Sequence, residues 1–228
     1  MHSWRLHLLP SLEQRSLYDA YRQDEPWDGP NNSTAVATPL EIFACPRDPP
    51  VTLGTPRTNY FAIVGPETAW PEDRGIILSE ISDGPEQTIV VIEAAGLNVN
   101  WAEPRDLTFD DAIAILTSSA DPFGGAHRKH PGYFYQGHDQ FVSGVNVAFA
   151  DGTAKFVPVP VPRDMAVALL TANAGDAVDM VAFRRLTEPQ LDYGKITGLV
   201  AFVALALWPS VTNAWRRRAI ATGSPATC

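Results

Sequence analysis

The fold of this chain is decided by the segment Val145–Phe156, whose sequence is VNVAFADGTAKF. Apolar residues alternate with smaller or polar residues on both sides of Asp151-Gly152, as in two strands with one buried face. Asp-Gly favours a two-residue type I′ turn, because both central residues of that turn need a positive φ. This turn predicts pairs of Phe149 with Ala154 and of Val147 with Phe156. The buried face then carries Val145, Val147, Phe149, Ala154 and Phe156, and the other face carries Asn146, Thr153 and Lys155. We therefore interpret Asp151 as a turn residue rather than a catalyst.

Short strands and short helices are predicted elsewhere in the first 175 residues. Strand patterns occur at Tyr60–Val64, Gly75–Leu78 and Thr88–Glu93. Helix starts are indicated by Ser11-Leu12-Glu13-Gln14, by Thr108 and by Asp164, which predict helices over residues 11–22, 106–117 and 164–173. The 20 Pro and 16 Gly of the chain argue against an all-helical bundle. The predicted fold class is α+β, an antiparallel sheet with a few short helices.

Composition excludes several classes of function. The chain has 228 residues and a formal net charge of −9. Such an acidic protein repels phosphate backbones, so we expect no nucleic-acid partner. Its two cysteines, Cys45 and Cys228, are too few for a cysteine-based zinc site.

The C-terminal part differs in composition from the rest. Residues 196–215 include no charged side chain and are long enough to cross a membrane as a helix. Arg216, Arg217 and Arg218 follow at once and would stop transfer. A buried or amphipathic helix is the alternative interpretation. The predicted organisation is a globular head over 1–175, a linker over 176–195, a candidate transmembrane helix over 196–215 and a basic tail over 216–228.

Candidate site residues are few, and each has a structural interpretation. His127, His130 and His138 lie in one loop, but nearby Gly and Pro make a shared helical face improbable. Glu93 could be a buried carboxylate, although we expect it at a strand end facing water. Core or loop packing is the commoner use of aromatic residues, but some could contact a sugar or a peptide: Trp70, Trp101, Tyr133, Phe134, Tyr135 and Phe141. We therefore predict no catalytic residue, no metal ligand and no cofactor.

Several segments occur in the order of a known bacterial family. The hairpin sequence FADGTAKF is similar to the end of the pilin-like domain of unknown function 1559. Ser3–Gln14 resembles the beginning of that family. Further segments that resemble it are Asp24–Asp28, Cys45–Pro49, Thr58–Tyr60, Val64–Pro66, Ile81–Gly84, Val91–Ala94 and Trp101–Leu107. The resemblance covers residues 3–175.

The family signature is altered in this chain. The family places nine residues between a His and Asp-Gly, whereas twelve separate His138 from Asp151. An insertion within residues 133–141 would explain the difference. The motif residues, to which the resemblance gives a structural role, are His138, Asp151, Gly152, Phe149 and Phe156.

The resemblance implies a non-enzymatic envelope or surface domain similar to the pseudopilins of type II secretion. Envelope assembly components would be its partners, and we expect membrane association with an extracytoplasmic head. Family members usually begin with a prepilin leader and an apolar helix, so we expect both upstream of Met1. The alternatives are an outer-surface ligand-binding module that uses the 118–144 loop, and a metal-dependent hydrolase.

Overall fold

A five-stranded sheet forms the centre of the computed structural model, which describes residues 1–45, 54–72, 74–118, 144–175 and 178–187. The strands are β1 (Arg57–Thr58), β2 (Tyr60–Val64), β3 (Ile89–Glu93), β4 (Val99–Asn100), β5 (Leu107–Thr108), β6 (Gly144–Phe149) and β7 (Ala154–Pro158). The α-helices are α1 (Trp4–Leu8), α2 (Arg15–Ala20), α3 (Ser33–Val36), α4 (Phe109–Thr117), α5 (Arg163–Leu170) and α6 (Met180–Thr187). Short 3₁₀ helices lie at Leu9–Leu12, Glu41–Phe43 and Leu78–Glu80.

The strand order confirms an α+β fold. The sheet runs β5-β2-β3-β6-β7, and its contacts are antiparallel except that β5 lies parallel to β2. The β1 and β4 strands form a separate antiparallel pair. The predicted strands at 60–64 and 88–93 are thus confirmed to within a residue, and a parallel edge strand makes the sheet mixed.

One face of the sheet forms the main core. Phe61 pairs with Ile92, and Ile92 pairs with Val147, so their side chains share this face. All three are buried in one cluster with Leu116 of α4 and Leu169 of α5. Burying large aliphatic and aromatic side chains in this way is the main force that stabilises a sheet against helices. The opposite face of the sheet is therefore the one that can carry polar residues.

The β6–β7 hairpin exists, but its predicted register is wrong by one residue. Ala148 pairs with Ala154 and Val147 pairs with Lys155. The N–H of Gly152 donates to the carbonyl of Phe149 at 3.0 Å, and the N–H of Phe149 donates to the carbonyl of Thr153 at 2.8 Å. Only Gly152 has a positive φ at the turn, +86°, so the loop has three residues with a glycine bulge. The register moves Phe156 to the face opposite Phe149.

Replacing Gly152 with valine should lower the free energy of unfolding by about 1–2 kcal/mol, because a β-branched residue resists positive φ. An added Cβ would have open space around it, so the cost comes from the backbone alone. Ala154→Val, on the exposed strand next to the turn, is the matched control and should change little. Urea unfolding measures both variants. Equal stability of the two variants would show that the turn does not need glycine.

Two other local predictions fail, and one holds. Ser11 does not cap a helix; Glu13 has a left-handed φ of 61°, and the chain there turns from a 3₁₀ helix into α2. Residues 75–78 form no strand and lead into the 3₁₀ helix Leu78–Glu80. The Thr108 cap is confirmed, since its hydroxyl accepts the N–H of Asp111 and the Asp111 carboxylate accepts the N–H of Thr108.

The C-terminal predictions lie largely outside the described residues. Helix α6 occupies part of the predicted linker, and Phe183 of α6 is fully buried in the main core. Among the described residues, no helix is long and apolar enough to cross a membrane. The candidate transmembrane helix over 196–215, the basic tail, the histidine loop and its aromatic residues Tyr133, Phe134, Tyr135 and Phe141 are not among them.

Candidate functional site

A buried ion pair ties the N-terminal helix to the open edge of β2. Strand β5 pairs with β2 only at Ile63 and Val64, so none of the described strands lies beside Tyr60 and Ala62 at this edge of β2. Arg5 donates from Nε and Nη2 to the carbonyl of Tyr60, at 2.9 and 2.6 Å. Asp106, just before β5, accepts the N–H of Ala62 at 2.9 Å. The two side chains thus satisfy backbone groups that a longer β5 would have paired.

The same two residues are bonded to each other. Nη2 of Arg5 lies 2.8 Å from Oδ1 of Asp106, and the Arg5 side chain is 0% exposed. Oδ1 also accepts the indole N–H of Trp4 at 3.1 Å. Burial lowers the pKa of Arg5, while Asp106 opposes that change by favouring the charged form. Because a buried charge without a partner is costly, the pair holds α1 against the sheet.

A row of neighbouring side chains crosses the sheet face opposite the main core. Tyr60, Glu93 and Asn146 are its polar members, and Phe156 ends it. Tyr60 pairs with Glu93, and Asn146 pairs with Phe156. Nδ2 of Asn146 donates to Oε2 of Glu93 at 2.6 Å and joins the two halves of the row. Glu93 is 2% exposed, so the expectation that it faces water is wrong. The reason is that Glu93 continues the regular ladder between two inner strands and does not lie at a frayed end.

Next to this row, Cys45 is held by the chain that precedes β2. Its N–H donates to Oδ1 of Asn59 at 2.9 Å, and Asn59 also accepts the N–H of Ala94 with its carbonyl at 2.7 Å. The side chains of Glu93 and Cys45 lie close enough to Tyr60 to act on its pKa, and Asn146 donates to Glu93, so a thiol, a phenol, a carboxylate and an amide lie in one neighbourhood. These groups can hold or exchange a proton or bind a polar ligand atom.

The pH dependence of stability should reveal this neighbourhood. Burial, then the charge of Glu93 and a smaller effect of Cys45, raise the pKa of Tyr60 from 10.0 to about 12. The native state therefore holds the phenol proton more tightly than the unfolded chain does. Its contribution to stability is complete below pH 10 and is lost as the pH rises towards 12. Thermal unfolding between pH 9 and 12 should show a shallower decline for Tyr60→Phe than for the unchanged protein. Identical declines would contradict the assignment.

A second network holds the end of α5. Both oxygens of Asp83 accept backbone N–H groups, from Ala174 at 2.8 Å and from Gly175 at 2.9 Å. The N–H of Asp83 donates to the carbonyl of Ala172 at 3.1 Å. The chain turns at Asp83-Gly84, and the carboxylate of Asp83 connects this turn to a distant part of the chain.

The predicted motif residues do not meet in one site. Phe149 is buried in the main core, and Phe156 is half-buried on the other face. Asp151 is exposed, and its Oδ1 accepts the N–H and the hydroxyl of Thr153, which lower the pKa of Asp151. Gly152 is the left-handed turn residue, and His138 lies outside the described residues. This placement gives Asp151 and Gly152 a role in shaping the turn.

The two tryptophans named as possible ligand contacts have internal bonds. Trp101 is 0% exposed, and its indole N–H donates to the carbonyl of Thr38 at 3.0 Å, so it offers no surface to a ligand. Trp70 is half-buried and donates to the carbonyl of Val90, the extra residue of a bulge in β3. Within the described part of the chain, no three His, Cys, Asp or Glu side chains are grouped to hold a metal ion.

Sequence reasoning missed the pair of Arg5 and Asp106. The available signal was an arginine within Trp4–Leu8, the N-terminal helix, whose other residues are apolar except for the exposed His7. Its partner is 101 positions away, and no local pattern identifies such a partner.

The structure thus defines a class, an α+β domain whose N-terminal helix is joined to a mixed sheet by a buried ion pair. A family model matches residues 1–163, and the chain belongs to that family, described as protein of unknown function (DUF1559). No curated protein and no solved structure matches the chain. The family match ends at the first residue of α5, although α5 and α6 both contribute to the main core.

Proposed function

We propose that this chain is the non-enzymatic head of a pilin-like protein of the cell envelope. It is associated with the membrane through its C-terminal apolar stretch, and its head lies outside the cytoplasm. The head takes part in an envelope assembly similar to the pseudopilins of type II secretion. The proposal combines two arguments. The chain belongs to the family, and its sequence segments resemble those of pilin-like proteins.

The observation that carries the proposal is that polar side chains of the family-like segments bind other parts of the same domain. Arg5 of the first motif segment binds Asp106 and the carbonyl of Tyr60, which belong to two other segments. Asp83 and Asp151 bind backbone N–H groups near them or at the end of α5. These polar groups position the elements of the domain relative to one another. Polar groups that stabilise the fold support a structural role, in which the domain presents a surface to its partners.

Cysteine labelling of the complete gene product on intact cells tests the location. Ala37 is exposed at the end of α3, and Ala37→Cys in a Cys228→Ser background offers a thiol on the head. The native Cys45 is buried and supplies the background level. We expect a membrane-impermeant maleimide to label the Ala37→Cys variant on intact cells. A Thr222→Cys variant, placed after the three arginines, should react only after lysis.

The reverse pattern of labelling would overturn the orientation. Recovery of the protein entirely in the soluble cytosolic fraction would overturn both the membrane association and the location of the head.

A further inference from the structure

Strand β5 stops short of the length that its register with β2 allows. The two strands are parallel, with Leu107 opposite Ile63. Continued by two residues, the same register places Arg105 opposite Phe61. In a parallel ladder, a residue bonds to backbone groups of the two residues that flank its partner. Arg105 is thus in register to continue the ladder along β2.

The backbone groups that Arg105 would bind are the ones that the buried ion pair uses. Its N–H would donate to the carbonyl of Tyr60, which accepts Nε and Nη2 of Arg5. Its carbonyl would accept the N–H of Ala62, which donates to the carboxylate of Asp106. The ion pair and the backbone of Arg105 are therefore alternative partners for one acceptor and one donor at the edge of β2.

The surroundings of Arg105 allow this exchange. Its N–H makes no hydrogen bond to another described residue, and its side chain is exposed. Pro104 precedes it and has no N–H, so the longer strand would end at Arg105. The side chain of Asp106 is 10% exposed, so its carboxylate can turn to water when Arg5 leaves.

Helix α1 can open without opening the main core. Leu6 and Leu9 lie in a second buried cluster, together with Phe43 and Trp101. None of these four residues is part of the main core. Native proteins commonly open such units locally while the rest of the fold stays closed. The free energy of opening includes the backbone groups of β2 that lose their partners, unless another group replaces those partners.

We propose that the backbone of Arg105 replaces the Arg5–Asp106 pair at the edge of β2 when α1 opens. The N–H of Arg105 then donates to the carbonyl of Tyr60, and its carbonyl accepts the N–H of Ala62. Strand β5 lengthens as α1 leaves, so neither backbone group is left unpaired. The N-terminal helix is thereby a detachable element of the domain. This inference does not depend on the proposed function.

Amide hydrogen exchange of the full chain tests the replacement. Arg105→Pro removes the N–H that the open state needs, and Arg105→Ala is the matched control that keeps it. The amides of Leu6 and Leu9 should exchange about threefold to tenfold more slowly in the proline variant, because its open state lacks one hydrogen bond. Equal or faster exchange in the proline variant would overturn the proposal.

The urea midpoint of unfolding should be the same for the two Arg105 variants. In the closed state the N–H of Arg105 has no bond to a described residue, so removing it changes the open state alone. A lower midpoint for Arg105→Pro than for Arg105→Ala would show that the closed state already uses this N–H, and it would also overturn the proposal.

Removing the guanidinium gives a second measurement. In Arg5→Met, the amide of Arg105 should exchange at least about tenfold more slowly than in the unchanged protein, because it gains the carbonyl of Tyr60 as acceptor. Arg15→Met removes an exposed ion pair and should leave this amide unchanged. An Arg105 amide with the same exchange rate in Arg5→Met and in the unchanged protein would contradict the replacement. If Arg5→Met does not fold, the two Arg105 variants decide alone.

Discussion

Replacing Arg5 with methionine should lower the free energy of unfolding by about 3–5 kcal/mol, the usual cost of removing one partner of a buried ion pair. Methionine fills much of the same volume but cannot donate to the carbonyl of Tyr60, which loses two hydrogen bonds. The Asp106 carboxylate keeps the N–H donors of Ala62 and Trp4 but loses its only described ion-pair partner. Urea unfolding followed by tryptophan fluorescence measures the loss.

Arg15→Met is the matched control for this experiment. Arg15 forms an ion pair with Asp19 at 2.9 Å, but both side chains are more than half exposed. Such a pair contributes about 0.3–0.5 kcal/mol, so this variant should remain close to the unchanged protein. A similar small loss for Arg5→Met would mean that the N-terminal helix is not held by the buried pair.

The contrast between these two arginines shows which parts of the structure a sequence can predict. Local patterns predicted the β2 and β3 strands and the cap at Thr108, because neighbouring residues decide those features. The role of Arg5 depends on a carboxylate 101 positions away. In the sequence, Arg5 and Arg15 differ only in their neighbours, and burial is decided by the assembled fold.

The hairpin shows a second limit. Asp-Gly fits both a two-residue loop with two positive φ angles and a three-residue loop in which only the glycine has one. The alternating pattern was consistent with the first, but Lys155 lies beside the core face, with its ammonium 5.5 Å from the ring centroids of Phe149 and Phe183. A long side chain can lie over aromatic rings and still reach water, so binary patterning assigned it to the wrong face.

Glu93 was misplaced for a related reason. A carboxylate is usually assigned to the surface, yet Glu93 is buried here because Asn146 donates to it. Trp101 packs in the core, the commoner use of an aromatic residue, and donates to the carbonyl of Thr38. Both partners come from other parts of the chain. A single sequence contains no local signal for either bond.

Phe149→Ala should lower the free energy of unfolding by roughly 3–5 kcal/mol, the range for truncating a large aromatic residue in a core. Phe149 is 1% exposed, and its ring meets that of Phe183 edge to face, with centroids 6.0 Å apart. Truncation therefore removes the aromatic pair and leaves a cavity between the sheet and α6. Urea unfolding and the change in melting temperature measure the loss.

Phe156→Ala is the control that separates the two hairpin registers. In the two-residue loop predicted from the pattern, both phenylalanines face the core, and their truncations should cost similar amounts. In the observed register, Phe156 is half-buried on the other face and its ring lies over Gly144, so its truncation should cost less by at least about 1.5 kcal/mol. Truncating a half-buried ring should lower the free energy of unfolding less than truncating a ring enclosed by α6. Similar losses for the two variants would therefore contradict the observed register and favour the two-residue turn, with Phe156 in the core.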